Sequence, residues 1–430
     1  DIPLPVPGQT FTPKEYAASP EIYGSSEPYP KNIIEINGVG NMNGYRIAQV
    51  EMFPVRYIPD RGVLQMATSI TYRLEYQEYQ VPDIIPTVRQ KEVFGEAVRS
   101  IVSNPEDIAF CAPRVGKKST VTAVPPGYYE YVIITEPPMD TVFQRLADWK
   151  THKGVPATIV DVSWISSNYT GNDLAEKVRN FIIDAQANWG TIYFLLGGSG
   201  DYKTSGHDIV PTRITWYTSA GGGYIDSLPT DLYYADLDGN WNFDGDNTYG
   251  ELGDSVDMYA DVYVGRASVY NVALAQNFVH KVLTYEQNPP TDYIERLMLP
   301  TAILWSSYEE RPMQDSIARM APPGWRISKM YERNGTLSRQ GMIDTMDVGY
   351  NLGHWEGHGD QNGIYMSGGP YLNSSDADGL VNGDKVGIAN AIACHCGGWD
   401  MTPGGDCFAE HLVNRVGGGL CAAIMNGRYG

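Results

Sequence analysis

The sequence has few cysteines, few basic residues and no long apolar run. Only five of its 430 residues are cysteine, and four of those lie between Cys394 and Cys421. A disulfide-stabilised secreted domain spreads its cysteines along the chain, so hydrophobic cores must stabilise this protein instead. No stretch of about 18 apolar residues occurs, which argues against a membrane-spanning helix.

Basic residues are outnumbered by acidic ones. The chain has 31 Lys and Arg against 51 Asp and Glu, and its formal net charge is −20. No basic patch of useful size remains, which argues against nucleic acid or an anionic membrane as a partner. The hydrophobic fraction of 42%, with 11% aromatic residues, indicates two or three folded domains. The 30 Tyr, 46 Gly and 28 Pro are typical of a strand- and loop-rich, extracytoplasmic protein.

The two ends of the given sequence bear on how the natural protein is processed. The chain opens on DIPLPVPGQTF, without a basic and then apolar leader, so we expect any signal peptide to have been removed. It stops at NGRYG, directly after an apolar run. We therefore expect the natural protein to continue beyond Gly430.

Residues 1–110 are predicted to form a small all-β sandwich domain. The stretch ITYRLEY (70–76) alternates strictly between apolar and polar residues, which predicts a strand. GYRIAQVEMFPVRYIPDRG (44–62) predicts a strand that is broken at Pro54 and followed by a turn. Residues 111–127 are predicted to be a protease-accessible linker containing Arg114, Lys117 and Lys118.

From residue 128 onward, predicted strands alternate with helices. DTVFQRLADWKTHKG and DLAEKVRNFIIDAQANW have helical periodicity, and Asp173 is the predicted N-cap of the second. This alternation predicts an α/β fold with a mainly parallel sheet and helices on both faces. We divide it into subdomains at 128–290 and 291–430. The predicted strands are YEYVIIT, TIYFLLGG, DVYVGRASV, RLMLPTAILW, VGYNLGHWEG and GIANAIACHC.

The stretch NAIACHCGGWD offers three chemistries: a metal site, a redox pair or a nucleophile. On a strand, Cys394 and Cys396 would lie roughly 6–7 Å apart, which suits neither a disulfide nor one tetrahedral zinc ion. His354 and His358 would lie roughly 13 Å apart, too far for one ion. A redox C-x-x-C spacing is absent.

A nucleophile needs only one thiol, one imidazole and backbone donors for the carbonyl oxygen. His358 lies between Gly357 and Gly359, and glycines follow Cys396, so a substrate backbone can approach both. Both side chains are predicted at the carboxyl ends of strands, where α/β sheets bind their ligands. The spacing alone also fits a buried cysteine and a core histidine.

From YYEYVII to its end, the sequence resembles the gingipain-type cysteine peptidases of family C25 in the caspase-like clan. The resemblance rests on LADWKTHKGVPATIV, TDLYYADLDGNW, DVYVGRASV, GHWEGHGD, AIACHCGGWD, DCFAEHLV and GLCAAIM. It implies that His358 and Cys394 form the catalytic dyad and that the N–H groups of Gly359 and Cys394 hold the oxyanion. GYRIAQVEMFPVRYIPDRG also resembles the propeptide that precedes such catalytic domains.

Three positions leave alternatives open. Cys396 lies where the family usually has a small polar residue, so either thiol could attack, or the site could be inactive. The resemblance implies a third acid after TAILWS, for which Glu309 or Glu310 is the candidate; two exposed charges at a helix start are the alternative. It also implies cleavage after Arg or Lys, with Asp315 as the candidate substrate-binding acid. We interpret His395 as structural.

The stretch NWNFDGDNTYGE has the ligand spacing of a calcium loop. Asn240, Asn242, Asp244 and Glu251 stand at positions 1, 3, 5 and 12, and Asp236 and Asp238 lie just upstream. Family members bind calcium, so we expect structural Ca²⁺ and no organic cofactor. The alternative is an acidic surface turn.

The sequence thus predicts a secreted or cell-surface bacterial cysteine endopeptidase in precursor form. Its partners are protein and peptide substrates and its own propeptide, acting as an intramolecular inhibitor. One alternative is a processing or sorting peptidase of a bacterial secretion system. Another is a non-catalytic, calcium-stabilised surface or adhesion protein on a decayed peptidase fold.

Overall fold

The computed structural model describes residues 19–75, 84–116, 122–218, 225–251, 253–400 and 405–430. The strands in these ranges are β1 Ile34–Met42, β2 Tyr45–Met52, β3 Val55–Ile58, β4 Val63–Met66, β5 Tyr131–Thr135, β6 Ala157–Asp161, β7 Tyr193–Gly197, β8 Arg213–Thr218, β9 Ile225–Thr230, β10 Tyr263–Ala267, β11 Arg296–Thr301, β12 Arg326–Tyr331, β13 Leu352–Glu356, β14 His358–Asp360, β15 Gly363–Met366, β16 Gly369–Asn373, β17 Gly387–Ile392 and β18 Leu420–Met425.

The α-helices in the same ranges are α1 Pro20–Tyr23, α2 Val88–Ile101, α3 Ile108–Cys111, α4 Asp140–His152, α5 Val162–Asn168, α6 Leu174–Trp189, α7 Leu232–Ala235, α8 Val272–Gln287, α9 Arg311–Met320, α10 Arg339–Val348, α11 Ser374–Gly379 and α12 Phe408–Asn414. Short 3-10 helices cover Pro59–Arg61, Pro105–Asp107 and Glu332–Asn334. None of the described helices is long and apolar enough to cross a membrane.

Four parallel strands form the first sheet, in the order β10-β7-β5-β6. Their residues are apolar on both faces because helices cover both faces. Val132 and Ile134 pack with α6 on one face, and Ile133 packs with α4 and α8 on the other. The predicted N-cap of α6 is confirmed, since the Asp173 carboxylate accepts a hydrogen bond from the Glu176 N–H at 2.9 Å.

Five parallel strands form the second sheet, in the order β12-β11-β13-β17-β18. Leu297 and Leu299 pack on α9, while Met298 faces the larger core that also contains Trp355. A separate antiparallel sheet, β14-β15-β16, begins just beyond the end of β13. The predicted mainly parallel α/β fold is confirmed.

The two sheets meet through α8, which packs on α12 and β18. The buried Lys281 of α8 donates from Nζ to the carbonyls of Val413 at 2.8 Å and Leu420 at 3.2 Å. Ser268, just after β10, donates a short hydrogen bond to the buried carboxylate of Glu410 on α12. Polar side chains of each half are thus satisfied by the other half.

The described residues 19–75 and 84–116, here called the N-terminal unit, contain the antiparallel pairs β1–β2 and β3–β4. The predicted break at Pro54 and the turn after β3 are confirmed. The strand predicted for residues 70–76 is wrong over its described part, 70–75, which is not in a sheet. Alternation makes a strand only where a partner pairs with it, and the side chains of Tyr72 and Leu74 are exposed here. The helix α2 also means that the region is not all β.

The N-terminal unit contacts the amino ends of the first sheet's strands. Arg89 pairs with Glu130, just before β5, with Nε and Oε2 3.3 Å apart. The Gln90 amide donates to the carbonyl of Thr191, just before β7, at 2.9 Å. Phe94 stacks on Tyr263 at the start of β10, with ring centroids 4.9 Å apart. Of the predicted linker's basic residues, Lys117 and Lys118 lie outside the described residues.

Candidate active site

The register of the second sheet brings His358 and Cys394 to the same point. Strands β13 and β17 are adjacent and parallel, with Glu356 opposite Ile392. The Gly357 N–H donates to the Ile392 carbonyl at 3.2 Å and closes this pairing. His358 and Cys394 each follow two residues later, so both stand at the carboxyl edge of the sheet.

Gly359 lies close against the segment that contains Cys394 and Cys396. A methyl group on this residue would lie 2.8 Å from the Cys394 nitrogen and 2.8 Å from the Cys396 sulfur, and even closer to the Cys394 carbonyl oxygen. Only a residue without Cβ allows the two backbones to approach in this way. The Cys394 N–H donates no hydrogen bond to any residue that the structure describes.

Cys394 lies in a turn rather than at the end of a strand. Strand β17 ends at Ile392, and Cys394 to Gly397 form a turn. His395 has a φ of +58°, in the left-handed region that few non-glycine residues adopt. The expectation that residues 394–396 continue a strand is therefore wrong, because the positive φ at His395 reverses the chain.

His395 is half-buried in this turn. Its ring meets Tyr429 edge-on, with ring centroids 4.7 Å apart. The backbone N–H of His395 donates to the Arg428 carbonyl at 2.6 Å. Burial, and then the Arg428 guanidinium, lower the pKa of His395. These contacts fix the turn against the segment after β18.

The two thiols differ in environment. Cys396 is fully buried in the core of the second sheet, with its sulfur 3.4 Å from the Gly363 carbonyl oxygen. Burial, and then the nearby Asp360 carboxylate, raise the pKa of the Cys396 thiol well above its usual range. Cys394 is only partly buried. All five cysteines are free thiols.

A buried polar group that the sequence did not suggest lies on β13, two residues before His358. The Gln314 amide of α9 donates to Glu356 Oε2 at 3.2 Å, and its oxygen lies 3.3 Å from His354 Nδ1. Burial raises the pKa of Glu356, against the hydrogen bond from Gln314. Burial also lowers the pKa of His354. The signal for this group in the sequence is the polar pair His354 and Glu356 in HWEG.

The two candidate third acids differ in burial. Glu310 is 1% exposed and accepts from the Leu304 N–H at 2.8 Å and from Arg333 Nε at 2.7 Å. Burial opposes ionisation of Glu310, but these hydrogen bonds outweigh it and lower its pKa. Glu309 is exposed and pairs with Arg311, whose hydrogen bond lowers the pKa of Glu309 to about 2. Neither acid is hydrogen-bonded to His358 within the described ranges.

Asp315 lies on the exposed side of α9. Its carboxylate accepts from Lys329 Nζ at 2.8 Å and from the Tyr331 hydroxyl at 2.8 Å. These hydrogen bonds, Lys329 first, lower the pKa of Asp315. A shallow depression of about 320 Å³ beside it is lined by Glu309, Arg311, Pro312, Asp315, Tyr331 and Asn334. The carboxylate therefore already has a cationic partner.

The predicted calcium ligands fall into two clusters. Asp236 and Asp238 lie with Asp261, and Asp244 and Glu251 lie with Asp246; within each cluster one oxygen per carboxylate lies within 4.8 Å of the others. Asp246 and Asp261 were not predicted as ligands, and the only signal for them was a high local density of Asp. The side chains of Asn240 and Asn242 accept hydrogen bonds within the same loop. Asn240 Oδ1 accepts from the Asn242 N–H at 3.1 Å, and Asn242 Oδ1 accepts from the Asn247 N–H at 3.0 Å.

The first cluster fits a hard divalent cation. Asp236 is fully buried, and its Oδ2 has no hydrogen-bond partner among the described residues. Burial raises the pKa of Asp236 to about 6 and also raises the pKa of Asp261. Carboxylate oxygens are the ligands that Ca²⁺ prefers, and a cation would allow both acids to ionise.

Three solved structures share this architecture. One, described as "Structure of Protease", is 18% identical with a TM-score of 0.54, over 70% of this chain and 60% of its own. The complex of Porphyromonas gingivalis RgpB pro- and mature domains is 20% identical with a TM-score of 0.53, over 70% of this chain and 64% of its own. The Arg-specific cysteine proteinase gingipain R (RgpB) is 20% identical with a TM-score of 0.51, over 71% of this chain and 64% of its own. The chain thus spans less than two thirds of the length of these proteins.

The fold is therefore the caspase-like α/β fold of the gingipains, preceded by small antiparallel strands. No curated protein matches the sequence significantly. Residues 125–430 match the model of Peptidase family C25 over more than half of the chain, from the end of the predicted linker through both sheets. The chain belongs to Peptidase family C25.

Proposed function

We propose that the protein is a cysteine endopeptidase that uses Cys394 as nucleophile and His358 as general base and acid. The observation that carries this proposal is the register of β13 and β17, which places both residues two positions beyond a paired strand end. The family match supports the same assignment. The thiol is partly accessible and the imidazole lies on a neighbouring backbone, as nucleophilic catalysis requires.

In the proposed reaction, His358 takes the Cys394 proton and the thiolate attacks the scissile carbonyl carbon. The N–H groups of Cys394 and Gly359 stabilise the oxyanion, and the Cys394 N–H has no competing acceptor among the described residues. The His358 imidazolium then protonates the leaving amine as the peptide C–N bond breaks. Water, deprotonated by His358, hydrolyses the thioester and restores the thiol.

Burial separates the roles of the two thiols. A nucleophilic cysteine reacts as the thiolate, and burial disfavours that form of Cys396. Its sulfur packs against Gly359 and Gly363. We therefore assign Cys396 to packing behind the oxyanion donors.

For the third acid we favour Glu310 over Glu309. Glu310 is held inside the carboxyl edge by Leu304 and Arg333 and lies close enough to Glu356 to affect its pKa. Glu309 is neutralised on the surface by Arg311. Cleavage after Arg or Lys, with Asp315 as the acid that binds this side chain, rests on the resemblance. A basic substrate side chain would have to displace Lys329 from Asp315.

We further propose that the protein is secreted, that it binds structural Ca²⁺, and that residues 1–110 are its propeptide. The excess of carboxylates, the two carboxylate clusters and the RgpB pro-domain complex support these points. Residues Asp236, Asp238 and Asp261 would hold one ion, and Asp244, Asp246 and Glu251 another. The ion would supply charge neutralisation and hold loop segments together.

The test compares Cys394→Ala with Cys396→Ala on a panel of peptides that differ at the scissile residue. Each chain is assayed before and after cleavage within residues 111–127, so that latency is not mistaken for inactivity. We expect Cys394→Ala to lose hydrolysis by several orders of magnitude. Cys396→Ala, which only removes a buried sulfur, should remain active.

Alkylation gives an independent readout of the same assignment. An irreversible Arg- or Lys-directed probe should label Cys394 and leave Cys396 unmodified in the folded chain. Hydrolysis by Cys394→Ala at the native rate, or labelling of Cys396 instead, would contradict the assignment. Complete absence of labelling after linker cleavage would support a non-catalytic protein.

A further inference from the structure

The turn between β1 and β2 contacts the first carboxylate cluster, far along the chain from it. The Asn41 N–H donates to Asp257 Oδ2 at 2.7 Å, and the Asn43 N–H donates to Asp261 Oδ1 at 2.6 Å. The Asn41 side-chain amide donates a short hydrogen bond to Asp238. Asp238 and Asp261 are therefore shared between the cluster and the N-terminal unit.

Three oxygen acceptors at this contact are buried without a hydrogen-bond partner in the part of the chain that the structure describes. They are Asp236 Oδ2, Asn41 Oδ1 and Asn43 Oδ1. The side chains of Asp236 and Asn43 are fully buried. Buried acceptors of this kind are costly when unpaired, and a bound cation would satisfy them.

The guanidinium of Arg179 does not fill this role. Arg179 donates to the backbone carbonyls of Tyr233, Asp236 and Gly239, and not to the carboxylates. The Leu237 N–H donates to one carboxylate oxygen of Asp261, and the Gly239 N–H donates to one carboxylate oxygen of Asp236. A cation with several oxygen ligands would pair with Asp236 Oδ2, which these N–H groups leave unsatisfied.

We propose that Asp236, Asp238 and Asp261, together with the amide oxygens of Asn41 and Asn43, form a Ca²⁺ site shared by the N-terminal unit and the rest of the chain. Five side-chain oxygens of carboxylate and amide type match the preference of Ca²⁺ for six to eight oxygen ligands, with water supplying the others. Because two ligands come from the N-terminal unit, Ca²⁺ binding and docking of that unit strengthen each other. The proposal refines the calcium proposal above and does not depend on peptidase activity.

The test uses the full chain with Asn41→Ala, Asn41→Asp and, as matched control, Asn37→Ala. Asn37 lies on the same strand, and its amide bonds to the exposed Glu51. Calcium affinity is measured by titration calorimetry, and amide hydrogen exchange is followed over residues 34–52 with Ca²⁺ or with chelator. We expect Ca²⁺ to slow exchange in residues 34–52 about 5- to 150-fold in the native chain and in the control.

The two Asn41 variants should respond in opposite ways. Asn41→Ala removes one ligand, so we expect its Ca²⁺ affinity to fall at least about 10-fold. Ca²⁺ should then no longer slow most of the amide hydrogen exchange in residues 34–52. Asn41→Asp replaces a donor to Asp238 by a fourth carboxylate. It should exchange faster than the native chain in chelator and at least as slowly as the native chain in Ca²⁺.

Three results would overturn the shared site. One is identical exchange of residues 34–52 with and without Ca²⁺. The second is native calcium affinity in Asn41→Ala, and the third is faster exchange of Asn41→Asp in Ca²⁺. Asp244→Asn, in the other carboxylate cluster, should leave exchange of residues 34–52 unchanged. Because none of these readouts involves hydrolysis, their failure leaves the peptidase assignment intact, and an inactive Cys394 would leave this site intact.

Discussion

Adding one methyl group at Gly359 should damage catalysis more than stability. The φ of Gly359 lies outside the left-handed region, so alanine meets no backbone strain of its own. The new Cβ would instead lie 2.8 Å from both the Cys394 nitrogen and the Cys396 sulfur. Both distances are shorter than real Cβ atoms show, so the two segments must move apart.

The size of the effect follows from the two consequences of this displacement. Overpacking a well-packed site costs about 1–3 kcal/mol of unfolding free energy. Displacing a reacting group by about 1 Å costs about 100-fold in rate. We therefore expect the kcat/KM of Gly359→Ala to fall about 100-fold or more, with a loss of stability within 1–3 kcal/mol, roughly.

The assay combines kcat/KM on the best peptide substrate with urea unfolding of the same preparation. Gly368→Ala is the matched control, because it lies between β15 and β16, its φ is also outside the left-handed region, and a methyl group there meets no atom within 4 Å. This control should retain both activity and stability. If folded Gly359→Ala keeps native kcat/KM, the proposed approach of Gly359 to the oxyanion position is wrong.

Two further predictions concern buried acids. Burial raises the pKa of Glu410 from 4.5 to about 7, so the folded chain binds the Glu410 proton more tightly than the unfolded chain does. Protonation of Glu410 therefore stabilises the fold by about 3 kcal/mol below pH 4.5, and this contribution is lost as the pH rises through about 7. The difference in unfolding free energy between the native chain and Glu410→Gln should follow that pH course, and a difference independent of pH would contradict it. Glu310→Ala should lower the free energy of unfolding by about 2–3 kcal/mol, because it leaves the Leu304 N–H and Arg333 without this acceptor. Glu309→Ala removes only an exposed ion pair and should unfold like the native chain. Equal losses of stability from the two substitutions would show that the burial of Glu310 is unimportant.

Sequence patterns were sufficient where local composition determines the structure. The apolar runs of β5, β7, β11 and β17 predicted parallel strands because strands covered on both faces need apolar residues on both faces. Asp173 predicted the start of α6 because a side-chain acceptor at that position satisfies a free N–H. The placement of His358 and Cys394 after strands also followed from these runs.

Prediction from sequence failed where distant contacts decide the structure. Residues 70–75 alternate like a strand, but whether a strand forms depends on a partner that the sequence does not show. The turn at Cys394 depends on His395 adopting a positive φ, which its contacts with Arg428 and Tyr429 stabilise. The grouping of Asp261 with Asp236 joins residues across a long loop, so no local spacing could have indicated it.

The positions of the two proposed sites restrict how the N-terminal unit can control catalysis. Its described contacts lie at the amino edge of the first sheet, at Glu130, Thr191 and Asp261. The proposed dyad lies at the carboxyl edge of the second sheet, beyond the paired ends of β13 and β17. These contacts therefore anchor the unit to the first sheet. If the shared Ca²⁺ site exists as proposed, chelation of Ca²⁺ should loosen this anchor.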